Sequence, residues 1–407
     1  MFDCNLITSR LIRYPTKDKI QEHVEIGNLL STSPLFKDSS FKLGYNQRDG
    51  GMLSPQGQKD ALLLGQRMST RYSSLLSNTK TTSIKLTSSN STRTLETAYY
   101  FLEGSMAAGK EEASLVYKTG IVQKDKTLDA DNDPNHACLV YEVNAKSKFG
   151  AKEQVEAYQR TYLDEMTRRV SQKLGLEASG AVTGKQVLIM QDICAYQYAN
   201  QITTQVCQLF NQDDFIHYER SADLEKYYLF GYEQEINRRL GCSQVSGLVK
   251  DALASDTLQV SLRFGHAESI MPLIVSLGLF KDIVPISNQT TDLEFRQKKW
   301  VTSRIVPFLA NVVFEVYTST RDRADELAVR MLVNEVPTSI PHCSRPLSNG
   351  LCMLTDFIKG YSDILGCNFD VMCGNKQHTF GGWSELWVPD LYRVFDDDDI
   401  DTFTSLI

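Results

Sequence analysis

Several things are missing from this chain, and each absence narrows the reading. No run of about 18 apolar residues occurs, so no membrane span is expected. There is no basic excess: 43 Lys and Arg face 50 Asp and Glu, a formal net charge of −7. Without a bulk positive field, neither nucleic acid nor an anionic membrane is an expected partner, and any anion site must be a local cluster. No Cys-x2-Cys pair and no histidine pair at metal spacing occurs, so no metal and no cofactor are expected. The acidic run Asp396 to Asp399 lacks the glycine and ligand spacing of a calcium loop and reads as a solvated face. The first residues show no basic stretch followed by a long apolar one, so no secretory leader is expected within this chain. Internal repeats and low-complexity linkers are absent as well.

What remains is an ordinary globular composition of 42% hydrophobic and 23% charged residues over 407 positions. That length supports a large core, as two domains or as one with an inserted lobe. Nine cysteines favour disulfides and an oxidising compartment over zinc. Cys343 and Cys352 share a loop-like segment with Pro341, Pro346 and Gly350, and the odd count leaves a free thiol, expected at Cys4. Two sequons, at Asn90 and Asn288, fit a secreted glycoprotein.

Along the chain, residues 5 to 8 read as a short apolar strand ending at Ser9-Arg10. Residues 54 to 77 read as an amphipathic helix with Ser54 as N-cap and Pro55 in the first turn. A strand over 82 to 88 and a helix from Thr92 to Leu102 follow, the alternation of an α/β unit with a parallel-type sheet. Residues 106 to 250 are charged, nearly free of proline and mostly helical, with Gln154 to Leu174 as the clearest helix. A strand returns at 257 to 263 and a helix at Ser269 to Leu279. Strand-like runs span Ile305 to Phe314 and Ala328 to Asn334. The expected architecture is an α/β domain from residues 1–105 and 251–407, with an inserted helical lobe at 106–250.

Four segments carry the chemistry. The first is Ser9-Arg-Leu-Ile-Arg13-Tyr-Pro-Thr16. The second is Thr87-Ser-Ser-Asn-Ser-Thr-Arg93-Thr94, with Phe101-Leu-Glu-Gly104 after it. The third is Leu262-Arg-Phe-Gly-His266-Ala-Glu268, and the fourth is Asp223-Leu-Glu-Lys-Tyr-Tyr with Gly231 to Asn237 and Cys242. Together they resemble the histidine acid phosphatases over nearly the whole chain. The His-Ala-Glu form is similar to the multiple inositol polyphosphate phosphatase branch.

The resemblance implies a histidine-phosphatase-like α/β fold and a site for a phosphorylated or other anionic, inositol phosphate-like ligand. Arg13, Arg93 and His266 would grip phosphate, and Glu268 would give a proton to the leaving oxygen. The family signature reads Arg-His-Gly-x-Arg-x-Pro, and its histidine takes the phosphoryl group. Here Arg10 stands in that histidine's place, flanked by Ser9 and Leu11. A guanidinium has no lone pair to offer, so the usual covalent route is closed. A permanent cation there would face the phosphate, so Arg10 is expected to bind. The resemblance therefore implies an inactive or impaired relative that keeps a basic pocket. The alternatives are a phosphomonoesterase using His266 or a water near Glu268, an unrelated chemistry on the same scaffold, or a vestigial pocket. Structural alternatives stand beside each residue: ion pairs for Arg13 and Glu268, a helix contact for Arg93, a solvent position for Arg10, a core position for His266. Lys17 and Lys19 read as ordinary surface lysines, with the lining of a polyanion entrance as the alternative, and His23, His136, His217, His342 and His378 fall in no matched motif.

Overall fold

The computed structural model describes residues 14–37, 41–76, 83–106, 110–148, 150–177, 182–202, 205–254, 260–319, 326–375 and 403–405. The expected strand at 5 to 8, Cys4, Arg10, Arg13, His378 and the Asp396 to Asp399 run lie outside them.

The chain enters helix α1 (Lys17–Thr32) and then α2 (Pro55–Arg71). The Ser54 side chain accepts the Gly57 N–H and Pro55 fills the first helical position, the cap the sequence called for. Strand β1 (Ile84–Ser89) leads into α3 (Thr92–Ser105). Helices α2 and α3 cross with their backbones in contact. A Cβ on Gly65 would strike the Phe101 carbonyl, and one on Gly104 the Leu62 carbonyl. Glycine at both positions is thus a packing requirement that lets the two helices approach at backbone distance.

Helix α4 (Lys110–Thr119) and strand β2 (Ile121–Gln123) follow. β2 pairs with β1 although it lies within the 106–250 span expected to form the lobe, so the sheet claims the first part of that span. The remainder is helical: α5 (Ala151–Gln159), α6 (Leu163–Leu174), α7 (Gly184–Ala199), α8 (Gln212–Phe230) and α9 (Cys242–Leu253) are its main members. The single helix expected over Gln154 to Leu174 is in fact two. At the break, the Thr161 and Tyr162 N–H groups bond three residues back, to Tyr158 and Gln159. The Thr161 hydroxyl donates to the Tyr158 carbonyl, a local bond that competes with the helical one.

Strand β3 (Val260–Phe264) pairs parallel with β1 in a three-stranded sheet of order β2-β1-β3, and α10 (Ala267–Ser276) follows it. The register sets Leu86 against Leu262 and Ser88 against Phe264, so both strands end side by side.

A second, antiparallel sheet contains β4 (Val312–Ser319), β5 (Leu327–Val333), β6 (Val336–Thr338), β7 (Cys352–Met353) and β8 (Phe403–Ser405). The strand expected from Ile305 starts only at Val312. Pro307 offers no N–H to a ladder, and Leu309 turns the chain at φ 58°. Four disulfides close the structure: Cys138–Cys373, Cys194–Cys207, Cys242–Cys367 and Cys343–Cys352. Among the described residues no helix is long and apolar enough to cross a membrane.

Candidate functional site

The parallel sheet delivers the site. β1 ends at Ser89 and turns into α3, whose second residue is Arg93. β3 ends at Phe264, and His266 stands immediately before α10. Neighbouring parallel strands put their carboxyl ends, and the helices that follow, around one crevice. A Cβ on Gly265 would fall 2.6 Å from the Asn132 carbonyl, so the approach to His266 admits only glycine. The His266 N–H donates to Ser269 Oγ at 2.9 Å, and the Ser269 hydroxyl donates onward to the Asn132 carbonyl.

Both nitrogens of His266 are engaged. Arg93 Nη2 lies 3.1 Å from Nδ1, and Ser89 Oγ lies 3.0 Å from Nε2. A guanidinium only donates, so Nδ1 accepts and the ring proton sits on Nε2, facing Ser89. Ser89 Oγ also meets Thr94 Oγ1 at 3.1 Å, tying the end of β1 to the first turn of α3. The imidazole is a spacer with fixed orientation between a strand end and a guanidinium.

The Tyr14-Pro-Thr16 segment reaches the same region through a backbone relay. The Tyr14 N–H donates to the Met52 carbonyl at 3.0 Å, and the next residue's N–H, on Leu53, donates to Glu96 Oε2 at 3.0 Å on α3. Helix α1 starts directly after Thr16.

The family model of the histidine phosphatase superfamily, branch 2, matches residues 12–334. This chain belongs to that family. Among its relatives, a multiple inositol polyphosphate phosphatase 1 from Gallus gallus is 27% identical over 387 residues, which is 89% of this chain and 81% of that protein. In fold, this branch 2 histidine phosphatase resembles the phytase from D. castellii, with TM-score 0.75 and 21% identity over 90% of this chain and 80% of that one. It also resembles the Bifidobacterium longum multiple inositol polyphosphate phosphatase in its inositol hexasulfate complex, with TM-score 0.63 and 17% identity over 86% and 88% of the two chains. The α/β histidine acid phosphatase architecture is therefore the fold of this protein.

Of the expected site residues, Arg93 and His266 meet at the strand ends, and Glu268 lines the same cleft in the first turn of α10. Glu268 is engaged by Lys226 of α8 at 3.5 Å. That lysine belongs to the fourth motif, whose other members have structural work. Asp223 is fully buried, 2.5 Å from Lys298 Nζ, and accepts the Thr302 N–H. The Asn237 side chain donates to the Leu229 and Gly231 carbonyls, and Cys242 is in a disulfide. Lys226 and Ser89 are the contacts that sequence reasoning passed over. Ser89 sat inside a quoted motif. Lys226 lies 42 positions from its partner, with no local signal. A third is His136, which lines the cleft with Nδ1 2.7 Å from Asp133 and Nε2 3.6 Å from Glu142. The bond from Asp133 raises its pKa above the usual histidine value.

The cleft-lining lysines are mostly answered by carboxylates. Lys19 meets Asp192 at 2.8 Å; burial alone would pull this ammonium down, but Asp192 outweighs it and pushes it up to about 12. Among the described lysines that line the cleft, Lys126 is the one with no carboxylate within ion-pair distance. No cluster of His, Cys, Asp and Glu suited to a metal ion occurs among the described residues.

Proposed function

We propose that this protein is an inactive or impaired relative of the inositol polyphosphate phosphatases that binds a phosphorylated or other anionic small molecule without efficient turnover. The observation that carries this reading is a mismatch between two halves of one site. Arg93 and His266 remain in contact at the strand ends, whereas position 10 offers arginine where the family signature has its nucleophile. Bidentate guanidinium groups suit phosphate oxygens, and an arginine at position 10 adds a permanent charge without adding a reagent. The Nδ1 lone pair of His266, the imidazole at the strand ends, accepts from Arg93, which counts against attack by that ring. The relatives' name makes inositol phosphates the first ligands to try. Four disulfides support residence in a secretory or extracellular compartment, where such bonds persist.

The test is direct. Purified protein is incubated with p-nitrophenyl phosphate and inositol hexakisphosphate at acid and neutral pH, and free phosphate is measured. The expected result is release at the background rate, together with a rise in Tm on adding inorganic phosphate. Restoring the signature through Ser9→Arg, Arg10→His and Leu11→Gly is expected to bring hydrolysis above background. Release by the unaltered protein that disappears in His266→Ala overturns the reading and makes this a working phosphomonoesterase.

A further inference from the structure

Helices α1, α5, α7 and α8 supply much of the cleft lining away from the strand-end residues in sequence, and their charges are nearly balanced. Lys152 on α5 pairs with Glu156 at 3.7 Å. Lys185 on α7 pairs with Glu22 at 3.4 Å. Lys226 on α8 lies between Glu225 at 3.6 Å and Glu268 at 3.5 Å. Lys19 is held by Asp192, which also accepts the Tyr218 hydroxyl at 2.6 Å. Lys126 has no carboxylate within ion-pair distance among the described residues, and Glu153 on the acidic side likewise has no cation. The lobe therefore presents to the cleft about as many negative charges as positive ones.

A densely charged ligand gains little from such a wall. Beyond the strand ends and Lys126, every further phosphate would have to pull a lysine from its carboxylate, or sit beside that carboxylate and be repelled. A ligand with one anionic group avoids both costs, because that group goes to the strand ends and a neutral or cationic body faces the lobe. Glu225 and Glu153 would meet a cationic body favourably.

Resting on the anion-binding reading above, we infer that the cleft takes a molecule bearing a single phosphoryl-type group on a neutral or cationic body, and gives a polyphosphate little further affinity. The discriminating residues are Asp192, Glu225 and Glu156, of which Asp192 and Glu156 lie outside the four family-like motifs and Glu225 lies in the fourth.

Isothermal titration of the full chain at low salt, with inositol 1-phosphate, phosphocholine and inositol hexakisphosphate, tests this. The expected result is that the hexakisphosphate binds less than about 10-fold more tightly than the two monophosphates, a difference below about 1.4 kcal/mol. A larger preference for the hexakisphosphate overturns the inference while leaving the anion site intact. Absence of binding by all three overturns the anion site itself, and the inference with it. A second arm uses Glu225→Gln, a half-exposed isosteric change that spares the fold. It is expected to tighten hexakisphosphate binding about 3-fold, with the gain fading as salt rises, and to leave inositol 1-phosphate within about 2-fold. No change in hexakisphosphate affinity also overturns the inference.

Discussion

The two sheets treat their polar residues in opposite ways. In the antiparallel sheet, Glu315 on β4 is set against Arg330 on β5 by the strand register. Its side chain is 1% exposed and fully partnered. Arg330 Nε lies at 2.5 Å, the hydroxyls of Tyr72 and Tyr317 donate at 2.7 and 3.0 Å, and Arg71 adds a longer contact at 3.7 Å. Every charge there is answered from within. In the parallel sheet the polar groups gather past the strand ends, half-buried, around a cleft. A buried carboxylate with its partners already in place stabilises one arrangement of the chain. A guanidinium and an imidazole at the mouth of a cleft can add an external ligand. The difference teaches that perturbation of a polar residue in this fold reads as function only where the cluster remains open to solvent.

Four substitutions sharpen that contrast. The largest expected effect is at Glu315. Replacing it with alanine strands Arg330 beside an apolar sheet, and loss of one partner of a buried pair costs about 3 kcal/mol. Urea unfolding should show that loss with phosphate binding unchanged. A cost under about 1 kcal/mol would place Glu315 in the same class as the strand-end residues.

Next is His23 on α1, another closed case but a neutral one. Its ring is 1% exposed, and Nδ1 lies 2.8 Å from the Tyr45 hydroxyl. Burial lowers its pKa to about 4, from 6.5. The folded state thus binds this proton less readily than the unfolded chain does. Its contribution is intact above pH 6.5 and is lost as pH falls towards 4, about 3 kcal/mol in all. His136 works in the reverse sense: its raised pKa adds stability below the unfolded value that disappears as pH rises through the folded one. A Tm profile from pH 7 to pH 4 should therefore fall in the unaltered protein. It should flatten in His23→Gln, which keeps a partner for Tyr45 and cannot take up the proton. Equal slopes for the two proteins would show that other groups govern acid sensitivity.

How much of this was legible in the sequence follows from range. The Ser54-Pro55 helix start, the strand-turn-helix that places Arg93, and the strand end at His266 rest on signals within a few residues, and the structure has all three. The disulfides Cys138–Cys373 and Cys242–Cys367 join positions 235 and 125 residues apart, and spacing alone could not pair them. The break after Gln159 depends on a side-chain bond that periodicity does not register. The lobe's charge balance is the clearest case. Lys19, Lys185 and Lys226 read as cations in sequence, and only the packing of α1 against α7 and of α8 against α10 shows that Asp192, Glu22 and Glu268 already answer them. Arg10 and Arg13, the two positions that weigh most on the first motif, lie outside the described residues, so their roles rest on the resemblance and on the binding tests.

The smallest effect bears most closely on the comparison, because it must appear in binding and be nearly absent in stability. His266 is half-buried, and its ring bonds Arg93 at the cleft and the Ser89 hydroxyl, groups that can turn to water when it is removed. His266→Ala should therefore cost no more than about 1 kcal/mol on urea unfolding. The guanidinium it positions would lose its orientation, and inorganic phosphate should bind about 10-fold more weakly by calorimetry, equivalent to about 1.4 kcal/mol. Arg93→Lys separates orientation from charge. It keeps one positive charge but replaces a planar fork with a point donor, so a comparable weakening is expected although net charge is unchanged. If Arg93→Lys binds phosphate as well as the unaltered protein, the strand ends supply only a positive potential. The contact between Arg93 and His266 would then be structural, as it is around Glu315.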